Sequence, residues 1–211
     1  MQEIRSKSGL AIVLSKLKDF KEHKIELEQY STPSEIAAEI LWTAFYKGEV
    51  RDKTILDAAC GPGYLGIGAL LLGAAKVYFV DISPESLEIL KENISFLDEE
   101  FGHDIKEKCV IVNSDITDFN EIVDVVIQNP PFGIKKKHAD KAFLEKAFLV
   151  GKVVYSFHKT ESKNFAEKLA NDYKFKLTES WNYDFPLKQT AKFHTRKLHR
   201  IKASCFRFEK I

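Results

Sequence analysis

Apolar positions along the chain recur in two rhythms. Short runs rich in β-branched and aromatic residues occupy 54–57, 77–81, 109–113, 123–128 and 153–157, lengths suited to buried strands. Between most of them apolar residues fall at helical spacing. The clearest such pattern opens at Ser83-Pro84 and sets Leu87, Leu90, Ile94 and Leu97 on one stripe, with proline at the favoured first position. Another runs from about residue 140 to 150 and stops at Gly151.

Upstream, residues 10–28 show a helical pattern with a mixed-charge face. A second helix is signalled by Thr32 as cap, Pro33 as first residue and Glu35 completing a capping box. Its apolar face is Ile36, Ile40, Leu41, Ala44 and Phe45, and Gly48 ends it. Strands alternating with helices predict right-handed βαβ units and a parallel sheet covered on both faces. The last third differs. Phe175, Leu177, Trp181, Tyr183 and Phe185 alternate, as do residues 204–208. They predict two strands paired antiparallel at one end of the sheet. No repeat or low-complexity linker interrupts the chain, so its 211 residues are expected to form one domain. Within it, 1–50 is expected as an N-terminal helical segment contributing to the site, and 51–211 as the core.

Composition narrows the classes. Hydrophobic and charged contents of 45% and 30% are those of a soluble globular protein. No apolar run reaches the roughly 20 residues of a membrane span. Cys60, Cys109 and Cys205 form no paired motif, which predicts free thiols, a cytoplasmic location and no metal site. The formal net charge of +1 gives no global case for nucleic acid, so that case must come from local clustering.

The first strand runs into Asp57-Ala58-Ala59-Cys60-Gly61-Pro62-Gly63-Tyr64-Leu65-Gly66. Glycines at such a strand-to-helix turn allow close approach of a ligand. Gly61, Gly63 and Gly66 match the dinucleotide fingerprint, and Asp81 stands at the end of the second strand, where it can hold ribose hydroxyls. A nicotinamide enzyme is therefore one reading. Three features favour S-adenosylmethionine (SAM) instead. Asp57 precedes the loop, where a carboxylate suits the ammonium of SAM and does nothing for a pyrophosphate. Asp115 follows the third strand, a place suited to the adenine amino group. The fourth strand ends in Asn129-Pro130-Pro131-Phe132-Gly133, which has no role in hydride transfer.

Two prolines after a buried strand stiffen a loop at the carboxyl edge of the sheet, where open α/β sheets bind ligands. An exocyclic amine on a purine is a poor nucleophile because its lone pair is delocalised into the ring. If the Asn129 side-chain oxygen and the Pro130 carbonyl both accept from that amine, its nitrogen can pyramidalise and aim its lone pair at a methyl donor. Phe132 would stack on the extruded base.

The sequence is similar to a known family in the order of these motifs. Gln29-Tyr30-Ser31-Thr32, the glycine loop, Asp81-Ile82, the Asn-Pro-Pro-Phe-Gly run, Ser156-Phe157-His158-Lys159 and Lys192-Phe193-His194 resemble the methyltransferase-like protein five family of small-subunit rRNA adenine-N6 methyltransferases. The resemblance covers nearly the whole chain. It implies a Rossmann-like class I methyltransferase fold with a seven-stranded, mostly parallel sheet, an antiparallel C-terminal strand and helices on both faces. It implies that Gln29, Thr32, Ala59, Pro62, Tyr64 and Ile82 join Asp57, Gly61, Gly63, Asp81 and Asp115 in binding SAM. It implies Asn129, Pro130, Pro131 and Phe132 as the catalytic loop. A small zinc-binding activator protein, adding a strand at the sheet edge, is implied as partner. The family commonly has glycine where this chain has Ala59.

Two basic segments flank the presumptive site. Lys135, Lys136, Lys137 and His138 follow the catalytic loop. The second segment carries Lys188, Lys192, His194, Arg196, Lys197, His199, Arg200 and Lys202, with Phe193 interleaved. Together with His158 and Lys159 they are expected to contact RNA phosphates, with Phe193 available for stacking. Glutamine N5-methylation of a protein, guanine-N2 methylation of rRNA, and a catalytically silent RNA-binding module are the competing readings. The first usually carries tyrosine in place of Phe132 and a larger N-terminal domain.

Overall fold

The computed structural model describes residues 4–20, 30–101, 105–132, 139–187 and 199–211. Helix α1 (Lys7–Ser15) opens under the hydroxyl of Ser6, which accepts from Gly9 N–H at 3.0 Å. It starts earlier and stops sooner than the pattern predicts. Lys18 N–H donates to Asn93 Oδ1 at 2.8 Å and Lys18 carbonyl accepts from Asn93 Nδ2 at 3.0 Å. These peptide groups bond sideways to another helix instead of extending their own.

Helix α2 (Ser34–Tyr46) has Pro33 as its N-cap, with no side chain bonded to its first turn. The expected Thr32 cap is thus not formed; the buried Thr32 hydroxyl serves Asn129, described below. Ala37, Ala38, Ile40, Leu41 and Ala44 are its buried face, while Ile36 and Phe45 pack at the margin.

The remaining elements are β1 (Thr54–Ala58), α3 (Tyr64–Leu71), β2 (Lys76–Asp81), α4 (Pro84–Phe101), β3 (Cys109–Asn113), β4 (Val125–Gln128), α5 (Ala139–Val150), β5 (Val153–Lys159), α6 (Lys163–Asp172), β6 (Phe175–Leu187) and β7 (His199–Lys210). Seven strands form one sheet in the order β3-β2-β1-β4-β5-β7-β6. β1 to β5 pair in parallel, and β7 lies antiparallel to both β5 and β6. The lone reversed strand is therefore β7, inserted between β5 and β6. This is the Rossmann-like methyltransferase arrangement expected from the resemblance.

Two apolar cores cover the faces. One gathers Leu10, Leu14, Ile40, Ile67, Leu90 and Phe79, the other Leu144, Phe148, Ala166, Leu169 and Phe208. α6 had no signal of its own: its buried residues are Ala166, Leu169 and Ala170, two of them too small to mark a stripe. A buried ion pair ties the chain's two halves. Arg207 on β7 binds Glu49, just after α2, through Nε at 3.1 Å and through Nη2, and Tyr155 Oη donates to Glu49 at 2.5 Å.

The register sets the site. Ala58 pairs with Val80 on one side and Gln128 on the other, and Asp81 with Asn113. The carboxyl ends of β1, β2, β3 and β4 therefore finish along one edge. Among the described residues no helix is long and apolar enough to cross a membrane.

Candidate active site

A cavity opens at that edge. Its wall includes Phe20, Tyr30, Ser31 and Thr32 from the N-terminal segment, Asp57 and residues 59–62 with Tyr64 from the glycine loop, and Asp81 and Ile82 after β2. Leu65, Val80, Ser114, Asp115, Ile116, Asn129, Pro131 and Phe143 complete it. The expected cofactor residues Thr32, Asp57, Ala59, Gly61, Pro62, Tyr64, Asp81, Ile82 and Asp115 thus share one cavity, whereas Gly63, at the N-cap of α3, is not among the residues that line it. Gln29 lies outside the described residues.

The glycine loop is tight. Gly63 has φ +90°, and a Cβ there would stand 2.3 Å from Leu90 Cδ1, so only glycine fits. Ala59 also has positive φ, +55°, a conformation that costs an L-residue roughly 1–2 kcal/mol. A glycine at that position would adopt this conformation without the cost.

Asp57 is 1% exposed and accepts from Gly66 N–H at 2.7 Å. Burial pushes its carboxyl up to about 8, against the pull of the Gly66 bond and aided by the charge of Asp81. A carboxyl in that condition favours a cation beside it. Asp81 accepts from Gly61 N–H and Ser83 N–H, both at 2.8 Å, and burial raises it despite those bonds. A carboxylate has about four acceptor positions, so with the Gly61, Ser83 and Ile82 N–H groups beside it Asp81 keeps capacity for a ligand hydroxyl. Asp115 is exposed, and one oxygen accepts from Thr117 N–H at 2.9 Å. Ile82 is 59% exposed for so apolar a side chain, a surface suited to a flat ring.

Asn129 follows β4 directly. Its Nδ2 donates to Thr32 Oγ1 at 3.1 Å and to Tyr30 carbonyl at 3.4 Å. With the nitrogen committed to two protein acceptors, Oδ1 is the atom left to accept from a ligand. Pro130 is buried and Pro131 half-buried. Phe132 is 5% exposed and packs edge-on against Phe185 at 6.0 Å, so its ring is core in this geometry and must turn to stack on a base.

His158 needs correction as a phosphate contact. It lies within β5, paired with Ser204, is 1% exposed, and stacks on Phe206 at 5.9 Å. Pairing with β7 extends β5 two residues beyond the apolar run and turns the imidazole inward. Lys159 ends the strand half-exposed. Lys135, Lys136, Lys137, Lys192, Phe193, His194, Arg196 and Lys197 lie outside the described residues.

Several wall residues were not legible in the sequence. Phe20 faces Gly61, and Asp19 accepts from Ser31 Oγ, which brings residues 19 and 31 together. Asn93 also donates to Pro62 carbonyl at 3.0 Å, so one buried amide joins the N-terminal segment, the glycine loop and α4. Ser114 Oγ is buried and has no hydrogen-bond partner among the described residues. Phe143 lay within a helical stripe that reads as core.

Residues 32–151 match the methyltransferase small domain family. A protein of Methanocaldococcus jannaschii is 35% identical, covering 97% of this chain and 94% of its own. The rRNA N(6)-adenosine-methyltransferase METTL5 of Danio rerio is 34% identical, covering 92% and 94%. A crystal structure from Pyrococcus horikoshii, provisionally classed as an RNA methyltransferase, superposes with a TM-score of 0.85. It shares 42% identity and covers 97% of this chain and 98% of its own.

Proposed function

The chain belongs to the METTL5 family of methyltransferases, within the methyltransferase small domain group, and on that premise we propose that it methylates the exocyclic N6 of an adenosine in small-subunit ribosomal RNA, with SAM as methyl donor. The observation that carries the reading is the commitment of Asn129 Nδ2 to Thr32 and Tyr30. It leaves a carbonyl oxygen at the end of β4 as acceptor for an amine.

The wall residues fit the donor. Ser114 Oγ is a buried hydroxyl with no partner among the described residues, beside Asp115, and suits the polar edge of adenine. Asp57 suits the ammonium of the amino-acid end, Asp81 the ribose hydroxyls, and Ile82 a ring face. SAM supplies an electrophilic methyl on a sulfonium. The protein supplies orientation and acceptors. Asn129 Oδ1 and Pro130 carbonyl accept from the two amine hydrogens, which concentrates electron density on nitrogen in the direction of attack. No protein base has to act first, since the proton becomes acidic only after the new bond forms and can leave to water.

RNA is the expected partner, supported by the names of the relatives and by the two basic segments of the sequence that follow Asn129. The reading includes a small zinc-binding activator at β3. That strand is paired only to β2, and its residues 109–112 are half-exposed, so it offers an edge for strand addition. A cytoplasmic location fits three free cysteines.

Incubation with labelled SAM and unmethylated small-subunit rRNA, followed by nucleoside mass spectrometry, tests the proposal. N6-methyladenosine that disappears in Asn129→Ala supports it. Label on a translation factor and none in RNA moves the activity to glutamine, and label on guanosine moves it to N2.

A further inference from the structure

Four buried side chains form a chain of hydrogen bonds behind the cavity. Gln128 Nε2 donates to Ser156 Oγ at 2.9 Å, Ser156 Oγ lies 2.6 Å from His158 Nε2, and His158 Nδ1 lies 3.4 Å from Asp140 Oδ2. Gln128, Ser156 and His158 are 0%, 0% and 1% exposed, and Asp140 is 9% exposed. The roles of a neutral ring follow from the ends. With Gln128 donating to Ser156, the hydroxyl hydrogen points to Nε2, and Nδ1 keeps its proton for the carboxylate.

The ends of this chain matter. Gln128 is the residue before Asn129. Asp140 stands in the first turn of α5, three residues before Phe143 and so on the same helix face. Asn129 and Phe143 both line the cavity. Ser156 and His158 belong to β5, which is fixed in the sheet by β4 on one side and β7 on the other. The imidazole is held flat against Phe206, with 12° between the rings. A rigid interior strand thus grips the segment that begins at the catalytic loop and the one that resumes at α5.

We propose that His158 is a positioning residue for methyl transfer: through Ser156 to Gln128 and through Asp140 to α5, it sets the separation of the Asn129 and Phe143 walls of the cavity. The proposal takes the methyl-transfer reading as given for its kinetic arm only. Gln128 Oε1, the amide atom facing away from Ser156, has no partner among the described residues. The side chain is therefore oriented by its single bond to Ser156, and removal of that bond releases it.

The variants are Ser156→Ala, Asp140→Ala, Asp140→Asn and His158→Ala. Hydrogen exchange of peptides spanning 129–132 and 139–143 is measured on each with no RNA present. Methyl transfer at saturating SAM is measured in parallel. In Ser156→Ala, faster exchange at 129–132 and unchanged exchange at 139–143 is expected, and in Asp140→Ala the reverse. His158→Ala should loosen both. Turnover should fall about tenfold or more in His158→Ala, with SAM affinity within about threefold, an energy of one lost buried hydrogen bond. Ser156→Ala added to His158→Ala should leave exchange at 139–143 where His158→Ala puts it, because the link to α5 is already cut. Asp140→Asn, which keeps an acceptor oxygen, should retain most of the turnover. Unchanged exchange at both segments in His158→Ala overturns the proposal, as does a further loosening of 139–143 in the double variant. Should the wild-type chain fail to methylate adenosine, the proposed function falls, while the exchange arm still decides this one.

Discussion

Asn129 Nδ2 and Thr32 Oγ1 stand 3.1 Å apart although 97 residues separate them in the chain. The bond joins the residue preceding Pro33 at the head of α2 to the end of β4, and on the proposed function it fixes which atom of the Asn129 amide would meet the substrate. Thr32→Val keeps the shape and removes the acceptor, so the amide can turn and present nitrogen where oxygen is needed. Turnover is expected to fall about tenfold, equivalent to about 1.4 kcal/mol. Thr32→Ser should be close to wild type. Equal turnover in Thr32→Val and wild type, at saturating SAM, would remove the bond from the mechanism.

Asp57 makes cofactor binding depend on pH. Its carboxyl is raised to about 8 chiefly by burial, so near pH 7 it is largely protonated without ligand. An ammonium beside it favours the charged form and drives the proton off. Binding of SAM should therefore release a proton below about pH 8, and affinity should rise with pH up to that point and then level. Calorimetry at pH 7 in two buffers of different ionisation heat reads the release directly. Identical heats in both would contradict it, and Asp57→Asn should abolish the difference. The same shift acts on ligand-free stability with a defined sign. Between 3.8 and about 8 the folded carboxyl holds a proton that the unfolded one has lost, so stability declines as pH rises through that window.

Ala59 sits at φ +55°. Ala59→Gly removes a conformational cost of roughly 1–2 kcal/mol but frees the unfolded chain by about 0.4–1 kcal/mol. A net gain of about 0.5–1 kcal/mol is expected, seen as a rise of about 2 °C in Tm. A fall in Tm would mean that the methyl makes contacts worth more than the strain.

The Arg207 and Glu49 side chains are 6% and 14% exposed. Glu49→Ala leaves the buried guanidinium with Glu209, at 3.0 Å, as its carboxylate partner, and should cost about 3 kcal/mol in denaturant unfolding. The paired change Glu49→Leu with Arg207→Met removes both charges and should cost far less. Equal losses in the two would show that packing, not charge, is what the pair contributes.

The strands of the parallel half were legible because each carries a short, mainly apolar run: residues 109–113 form β3 without a shift at either end, while β4 starts two residues into the run at 123–128. Asp57, Asp81 and Asn129 were legible because the ends of such strands must meet at one edge. What escaped was whatever depends on partners distant in sequence. Thr32 carries every local mark of a helix cap, and only the fold reveals that Asn129 claims its hydroxyl. His158 follows an apolar run and reads as a surface turn, yet β7 pairs with it and draws it inside. Phe20 belongs to no motif, and its place at the cavity follows from the docking of residues 16–20, which have no regular structure and are held by Asn93 of α4 through Lys18.

The insertion of β7 between β5 and β6 gives synthesis of this protein a direction. β1 to β5 can assemble as the chain emerges, but β5 then exposes a bare edge and β6 has no neighbour to join. Only when residues 199–210 arrive does that gap fill, with β5 gripped along 153–159. A nascent chain stalled before that point would carry a complete cofactor loop beside an open sheet, a species prone to association. Loss of those residues would remove not a margin but an interior seam.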